Sequence, residues 1–224
     1  MKAKLNVGPD QSGEVEITVE EVEGFIKAIV PDAILHLGGI LSDNVQSWRY
    51  KNQLNIVKKA EINIKASGLP SNKIPLKVLL PIMEGSALEE DESIQDKWSN
   101  LLANAATGRI DVTPNYAAIL SQLSSFEVKM LDDLYDSMMQ SSASVQGPVQ
   151  FFTDSIVAHY QVDKSTLTLA IENLSRLSLF RSPSSKGMQF GDYPLVMQTT
   201  DIFEFTVTGK HFVEVCRWVT LEMK

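Results

Sequence analysis

Cysteine is almost missing from this chain: Cys216 is the one thiol among 224 residues. That excludes an intramolecular disulfide framework and fits a reducing compartment. Histidine is nearly as scarce. His36, His159 and His211 lie far apart, in no His-x-x-x-His or His-Glu-x-x-His arrangement. There is no Walker A loop, no Gly-x-Gly-x-x-Gly, no Gly-x-Ser-x-Gly and no paired-cysteine zinc pattern. Nor does any apolar run reach the roughly 18–20 residues that span a bilayer. The longest candidate, Phe25 to Leu41, is interrupted by Lys27, Pro31, Asp32 and His36. Met1 to Gly13 is polar and lacks the apolar centre of a signal peptide. Basic residues are outnumbered, 20 against 28 acidic ones, for a net charge of -8, which argues against general nucleic-acid binding. The expectation is a cytoplasmic protein without a transmembrane segment, with no catalytic residue set, no cofactor and no metal.

What is present is an ordinary globular composition, 44% apolar and 21% charged. The length suits one large domain or two small ones. The most organised stretch runs from Ile74 to Ala106. Ile94, Trp98, Leu101, Leu102 and Ala105 recur at the spacing of a helix facing a core. Asp91 is placed to cap that helix, and Gly108 to end it in a left-handed conformation. Ile74 to Met83 reads as a preceding helix, with Pro75 in its first turn, Pro81 breaking or kinking it, and a corner at Gly85-Ser86. The acidic run Glu89, Glu90, Asp91, Glu92 has no His or Cys near it and no calcium-loop spacing, so it reads as a solvated helix start.

Upstream, Thr18 to Glu21 forms a capping-box pattern that opens a helix carrying Val22, Phe25, Ile26 and Ile29. Pro31 interrupts it, and the apolar segment from Val22 to Leu41 is the expected assembly surface. Asp43 to Ala66 reads as a long helix whose stripe includes Val45, Trp48, Leu54, Val57, Ile62 and Ile64. Trp48, Arg49, Tyr50, Lys51 and Asn52 make a mixed aromatic and basic patch, a type that can stack bases and hold phosphates. On one helix Trp48 and Arg49 point apart, so the favoured reading is Trp48 in the core and Arg49 on a carboxylate of Glu84, Glu89 or Glu90. Asn100 and Asn104 lie one turn apart beside the Trp98 stripe. Buried, they need partners, and main-chain carbonyls or Arg49 are the candidates.

Downstream, Asp111 to Pro114 starts a helix with Tyr116, Ile119, Leu120 and Leu123 inward. Ser124 to Glu127 is a second capping box, opening a helix through Val128, Met130, Leu131, Leu134 and Tyr135. Met138 to Pro148 has a loop composition. Phe151 to Tyr160 reads as helical, and Asp163 or Ser165 starts another helix with Leu167, Leu169, Ala170, Ile171, Leu174 and Leu177 apolar. Strand-like patterns follow at Leu179 to Arg181, Met188 to Tyr193 and Phe203 to Val207. Thr208-Gly209 precedes a last helix holding Phe212, Val213, Val215 and Cys216. Helix, helix, hairpin and closing helix are the parts of a winged-helix module. Its recognition helix would be Ser165 to Ser178, where Glu172 and Arg176 cancel, and Thr113 to Lys224 carries 8 basic and 12 acidic residues.

Three segments together resemble the Abi-alpha family, bacterial proteins associated with abortive infection against phage. Trp48-Arg49-Tyr50-Lys51-Asn52-Gln53 is similar to its W-R-[FY]-K-N element. Leu88 to Glu92, followed by Trp98-Ser99-Asn100-Leu101-Leu102-Ala103-Asn104-Ala105, is similar to its acidic run and W-A-x-L-L-A-N-A core. Pro114 to Leu131 resembles a third pattern, P-x-[FY]-x-x-I-L-x-x-L-S-x-x-E-x-x-x-L. The family implies a part in phage defence and supplies no catalytic set to carry over.

The expected architecture is therefore mainly α: a tail over 1–13, a helical region over 14–110, and a winged-helix-like α+β module with a small antiparallel sheet over 111–224. Trp48, Arg49, Tyr50, Asn52, Glu89, Glu90, Trp98, Asn100 and Asn104 are the structural or interaction candidates. The expected partner is another protein or a second copy of the chain. Nucleic acid is disfavoured by the acidic charge and stands as the alternative, a winged-helix DNA-binding regulator.

Overall fold

A computed structural model describes residues 2–6, 14–31, 47–142, 148–183, 189–190, 193–194 and 201–218, with side chains over 22–31, 51–141, 148–183 and 201–218. The described residues form nine helices, a three-stranded antiparallel sheet and two two-stranded ribbons. They divide into two compact units, residues 1–125 with 214–224, and residues 126–213. The chain leaves the first unit at the start of one helix and returns to it within another. Helix Pro114–Leu120 and the segment from Glu214 thus belong with the N-terminal part of the chain.

The first unit opens with strands β1 (Lys2–Asn6) and β2 (Glu14–Thr18), paired antiparallel from Lys2↔Thr18 to Asn6↔Glu14. Part of the expected tail is therefore a strand, where main-chain pairing supplies the order that polar side chains do not advertise. Helix α1 (Val19–Ile29) buries Val22, Phe25 and Ile29 inside this unit. Its apolar face is spent on the core and not left as an assembly surface; residues 32–46 lie outside the described residues. The Lys73 ammonium donates to the carbonyls of Val30 (2.8 Å) and Lys27 (2.5 Å). There it meets the negative end of the helix dipole.

Helix α2 (Ser47–Ser67) buries Leu54, Ile56, Val57, Ala60 and Ile64. Ile62, expected in that stripe, is 46% exposed. Gly68, at φ 67°, ends the helix in the left-handed region, where a missing Cβ removes the steric penalty. Helix α3 (Leu76–Ser86) continues past Pro81 and includes Gly85 and Ser86. The expected break and corner do not occur, because packing of Val78, Leu79, Ile82 and Met83 holds the helix across the lost hydrogen bond. Helix α4 (Glu92–Thr107) behaves as its pattern predicts. Ile94, Trp98, Leu101 and Leu102 are buried, and Gly108 sits at φ 64°. Helix α5 (Pro114–Leu120) starts on its proline and buries Tyr116, Ile119 and Leu120, with Leu123 buried just beyond.

The second unit begins with helix α6 (Ser125–Ser142), whose Val128, Met130, Leu131, Leu134 and Tyr135 are inward as expected. It outlasts its predicted end, since Met138 is buried and extends the apolar face another turn. Phe151 and Phe152, expected in a helix, form strand β3 (Gln150–Phe152) instead. Pairing with a distant strand overrides local pattern here, because Phe151 stands opposite Phe203. Helices α7 (Thr153–Tyr160) and α8 (Lys164–Arg176) follow, then β4 (Phe180–Arg181). Short strands β5 (Gln189–Phe190) and β6 (Tyr193–Pro194) pair with each other, and β7 (Ile202–Phe205) closes the sheet in the order β3-β7-β4. Phe151, Phe180, Phe203, Phe205 and Tyr135 share an aromatic core with ring centroids 4.7–6.2 Å apart. Helix α9 (Val207–Val215) contains Thr208 and Gly209. A Cβ on Gly209 would stand 2.1 Å from the Leu179 carbonyl oxygen, so close approach to the main chain just before β4 requires glycine. Leu169, expected inward on α8, is 66% exposed.

Candidate functional site

The residues singled out in the sequence lie on helices α2 and α4 and in the turn between α3 and α4. Trp98 is fully buried and lies against α3, where a Cβ on Gly85 would come within 2.5 Å of its ring. Gly85 is thus the seat of the tryptophan, and this contact needs a helix that continues through the glycine. The indole Nε1 has no hydrogen-bond partner among the described residues.

Around this seat, side-chain amides reach the carbonyls that helix ends leave unpaired. Asn104, fully buried, donates from Nδ2 to the carbonyls of Val215 (2.8 Å) and Arg217 (3.1 Å). One turn earlier, Asn100 donates to Cys216 (3.2 Å) while its Oδ1 accepts from Asn63 (2.9 Å). Together they hold the end of α9 within the first unit. Asn52 donates to Ala87 (3.2 Å) and Gln53 to Met83 (2.8 Å), closing the end of α3. Gln95 donates to the carbonyl of Glu89 (2.8 Å). Main-chain carbonyls are therefore the partners of the two α4 asparagines. The side chains of Trp48, Arg49 and Tyr50 lie outside the described residues, and with them the expected Arg49 ion pair.

The acidic run works as a helix start. Asp91 accepts from the Ser93 and Ile94 amides at 2.8 and 3.3 Å, from the Ser93 hydroxyl, and from the Ser125 hydroxyl at the head of α6. The Ser125 hydroxyl foremost, then Ser93, holds its carboxyl below the usual range. The Glu89 carboxylate accepts from the Asp91 amide (3.0 Å), whereas Glu90 is exposed. Burial, then Asp111, pushes the Tyr116 phenol up.

In the second unit, Glu204 is only 3% exposed; its Oε1 accepts from Nε of Arg181 at 2.8 Å and pairs with Nη2 of the same guanidinium at 2.8 Å. Asp133 accepts from Tyr160 (2.8 Å) and Lys129 (2.5 Å), and Glu127 from Asn173 (2.7 Å). Tyr160 is pushed up by burial and by its bond to Asp133. Among the described residues no group of three or more His, Cys, Asp or Glu side chains is arranged to hold a metal, and no helix is long and apolar enough to cross a membrane.

Sequence reasoning missed Gly85, Gln53, Asn63 and Ser125. The available signal was the placement of amides at the flank of apolar stripes, since a half-buried amide needs a fixed partner. What the arrangement does chemically is to pair main-chain groups at helix ends.

The nine helices and the small antiparallel sheet of the described residues place the chain among mainly α proteins. Residues 48–216 match the abortive infection alpha family, and the chain belongs to it. No curated protein and no solved structure matches the chain.

Proposed function

We propose that this chain is a cytoplasmic bacterial phage-defence factor of the abortive infection type, acting by binding a protein partner or by self-association and not by catalysis. Family membership carries the defence part of this reading. The engagement of Asn52, Asn100 and Asn104 with main-chain carbonyls supports a structural use of the family-like residues. The test is phage plating on cells expressing the chain. Plating falls well below that on empty-vector cells, and mutation of the exposed surface, with the fold intact, abolishes the effect. Equal plating on both strains refutes the defence role.

A winged-helix DNA-binding regulator is the second reading. It is favoured by the order α6, β3, α7, α8, β4, β7 with β7 between β3 and β4. The charge at α8 weighs against it. Asp163 occupies the helix N-terminus, accepting from the Thr166 amide (2.8 Å) and hydroxyl (2.6 Å) and from Ser165. Those bonds, Ser165 first, hold its carboxyl well below the usual range. Lys164 is turned to Asp154 (3.2 Å), and Leu169 and Glu172 are exposed on the same helix. A phosphate approaching this end meets a carboxylate where it needs donors. A duplex shift that weakens steeply with salt would overturn the protein-interaction reading.

A further inference from the structure

Two exposed aliphatic side chains in the first unit carry opposite electrostatic frames. Ile62 on α2 is 46% exposed. Lys58, Lys59 and Lys65, at i−4, i−3 and i+3, lie on its helix face. Lys58 and Lys65 share the buried carboxylate of Glu61, and Lys59 reaches Asp96, so three ammonium groups face two carboxylates. Leu88, just past α3, is 62% exposed. It is followed by the acidic run, in which Glu90 and Glu92 are exposed. A single exposed aliphatic residue needs no explanation. Two of them, one within a basic frame and one beside an acidic run, are a complementary pair.

We propose that the Leu88 knob of one copy docks on the Ile62 patch of a second copy, with Glu90 and Glu92 facing Lys59 and Lys65. The reading rests on the protein-interaction function above and names the partner as the chain itself. The apolar contact supplies burial and the charges supply register and salt dependence. Because knob and patch are different surfaces, the contact closes twice in a two-fold pair or repeats around a ring.

Sedimentation velocity of the purified full chain tests it. In low salt, at concentrations of order 100 µM, the chain is an oligomer that dissociates as salt screens the charges. Leu88→Asp and Ile62→Asp each give a monomer with unchanged melting temperature, since both side chains are at the surface. Lys65→Glu and Glu90→Lys each weaken association about tenfold. An equal mixture of those two variants recovers it, because the reversed patch of one now faces the reversed knob of the other. A full chain that stays monomeric in low salt overturns the proposal. So does an oligomer indifferent to both aspartate substitutions, or a mixture that does not recover. Phage plating of the unmutated chain separates this contact from the function: a chain that stays monomeric in low salt yet protects refutes the contact alone, and an oligomer that never protects refutes the defence role alone.

Discussion

The two units solve the same problem of helix and strand ends with different chemistry. The first is built almost wholly of helices, and each helix end leaves carbonyls without partners. Amides from distant helices supply the donors: Asn104 and Asn100 for α9, Asn52 and Gln53 for α3. Its centre is one tryptophan on one glycine. The second unit pairs its ends through a sheet and fills its core with four phenylalanines and a tyrosine. There the polar work falls to charged pairs, Arg181 with Glu204 and Lys129 with Asp133. A helical unit therefore depends on exact amide placement, and a sheet-bearing one on aromatic contact area.

The comparison breaks hardest at the tryptophan. Trp98→Ala removes the centre of the first unit and costs about 3–5 kcal/mol in thermal or denaturant unfolding. Gly85→Ala drives a methyl into the ring and costs about 1–3 kcal/mol. In a Trp98→Ala background that second cost shrinks, and a double-mutant cycle reads the difference. Equal costs in both backgrounds would show that the ring does not set the glycine. Next in size, Asn104→Ala strands the Val215 and Arg217 carbonyls and costs about 1–3 kcal/mol, whereas Tyr160→Phe in the second unit costs about 1 kcal/mol. A reversed order would remove the distinction between the units.

The smallest effect is a pH dependence. Asp91 has a folded pKa below its ordinary 3.8. Its stabilisation is full above that value and is lost as pH falls through the depressed folded pKa. Asp91→Asn lowers stability at neutral pH and flattens the acid limb of the stability curve. An unchanged acid limb, measured by denaturant unfolding across pH 2–6, would remove Asp91 from the cap.

Much of this was legible from local pattern. The stripe Ile94, Trp98, Leu101, Leu102, the Asp91 cap and the Gly108 stop all act within a turn or two of themselves, so sequence spacing is enough. The misreadings share a cause. Phe151 joined a strand because Phe203, far along the chain, pairs with it. Gly85 looked like a corner because its reason, the Trp98 ring, lies on another helix. Ile62 and Leu169 fit apolar stripes by spacing yet face outward, since spacing does not say how wide a face its neighbours cover.

Neighbouring residues alone carry the mainly helical class, most helix starts and stops, and the family to which residues 48–216 belong. Capping, periodicity and motif order are properties of neighbouring residues. Which carbonyl each amide holds and which glycine a ring demands are set by long-range packing. The Asn104 partner at Val215 is 111 residues away, and a bond of that separation exists only once packing has brought two helices together.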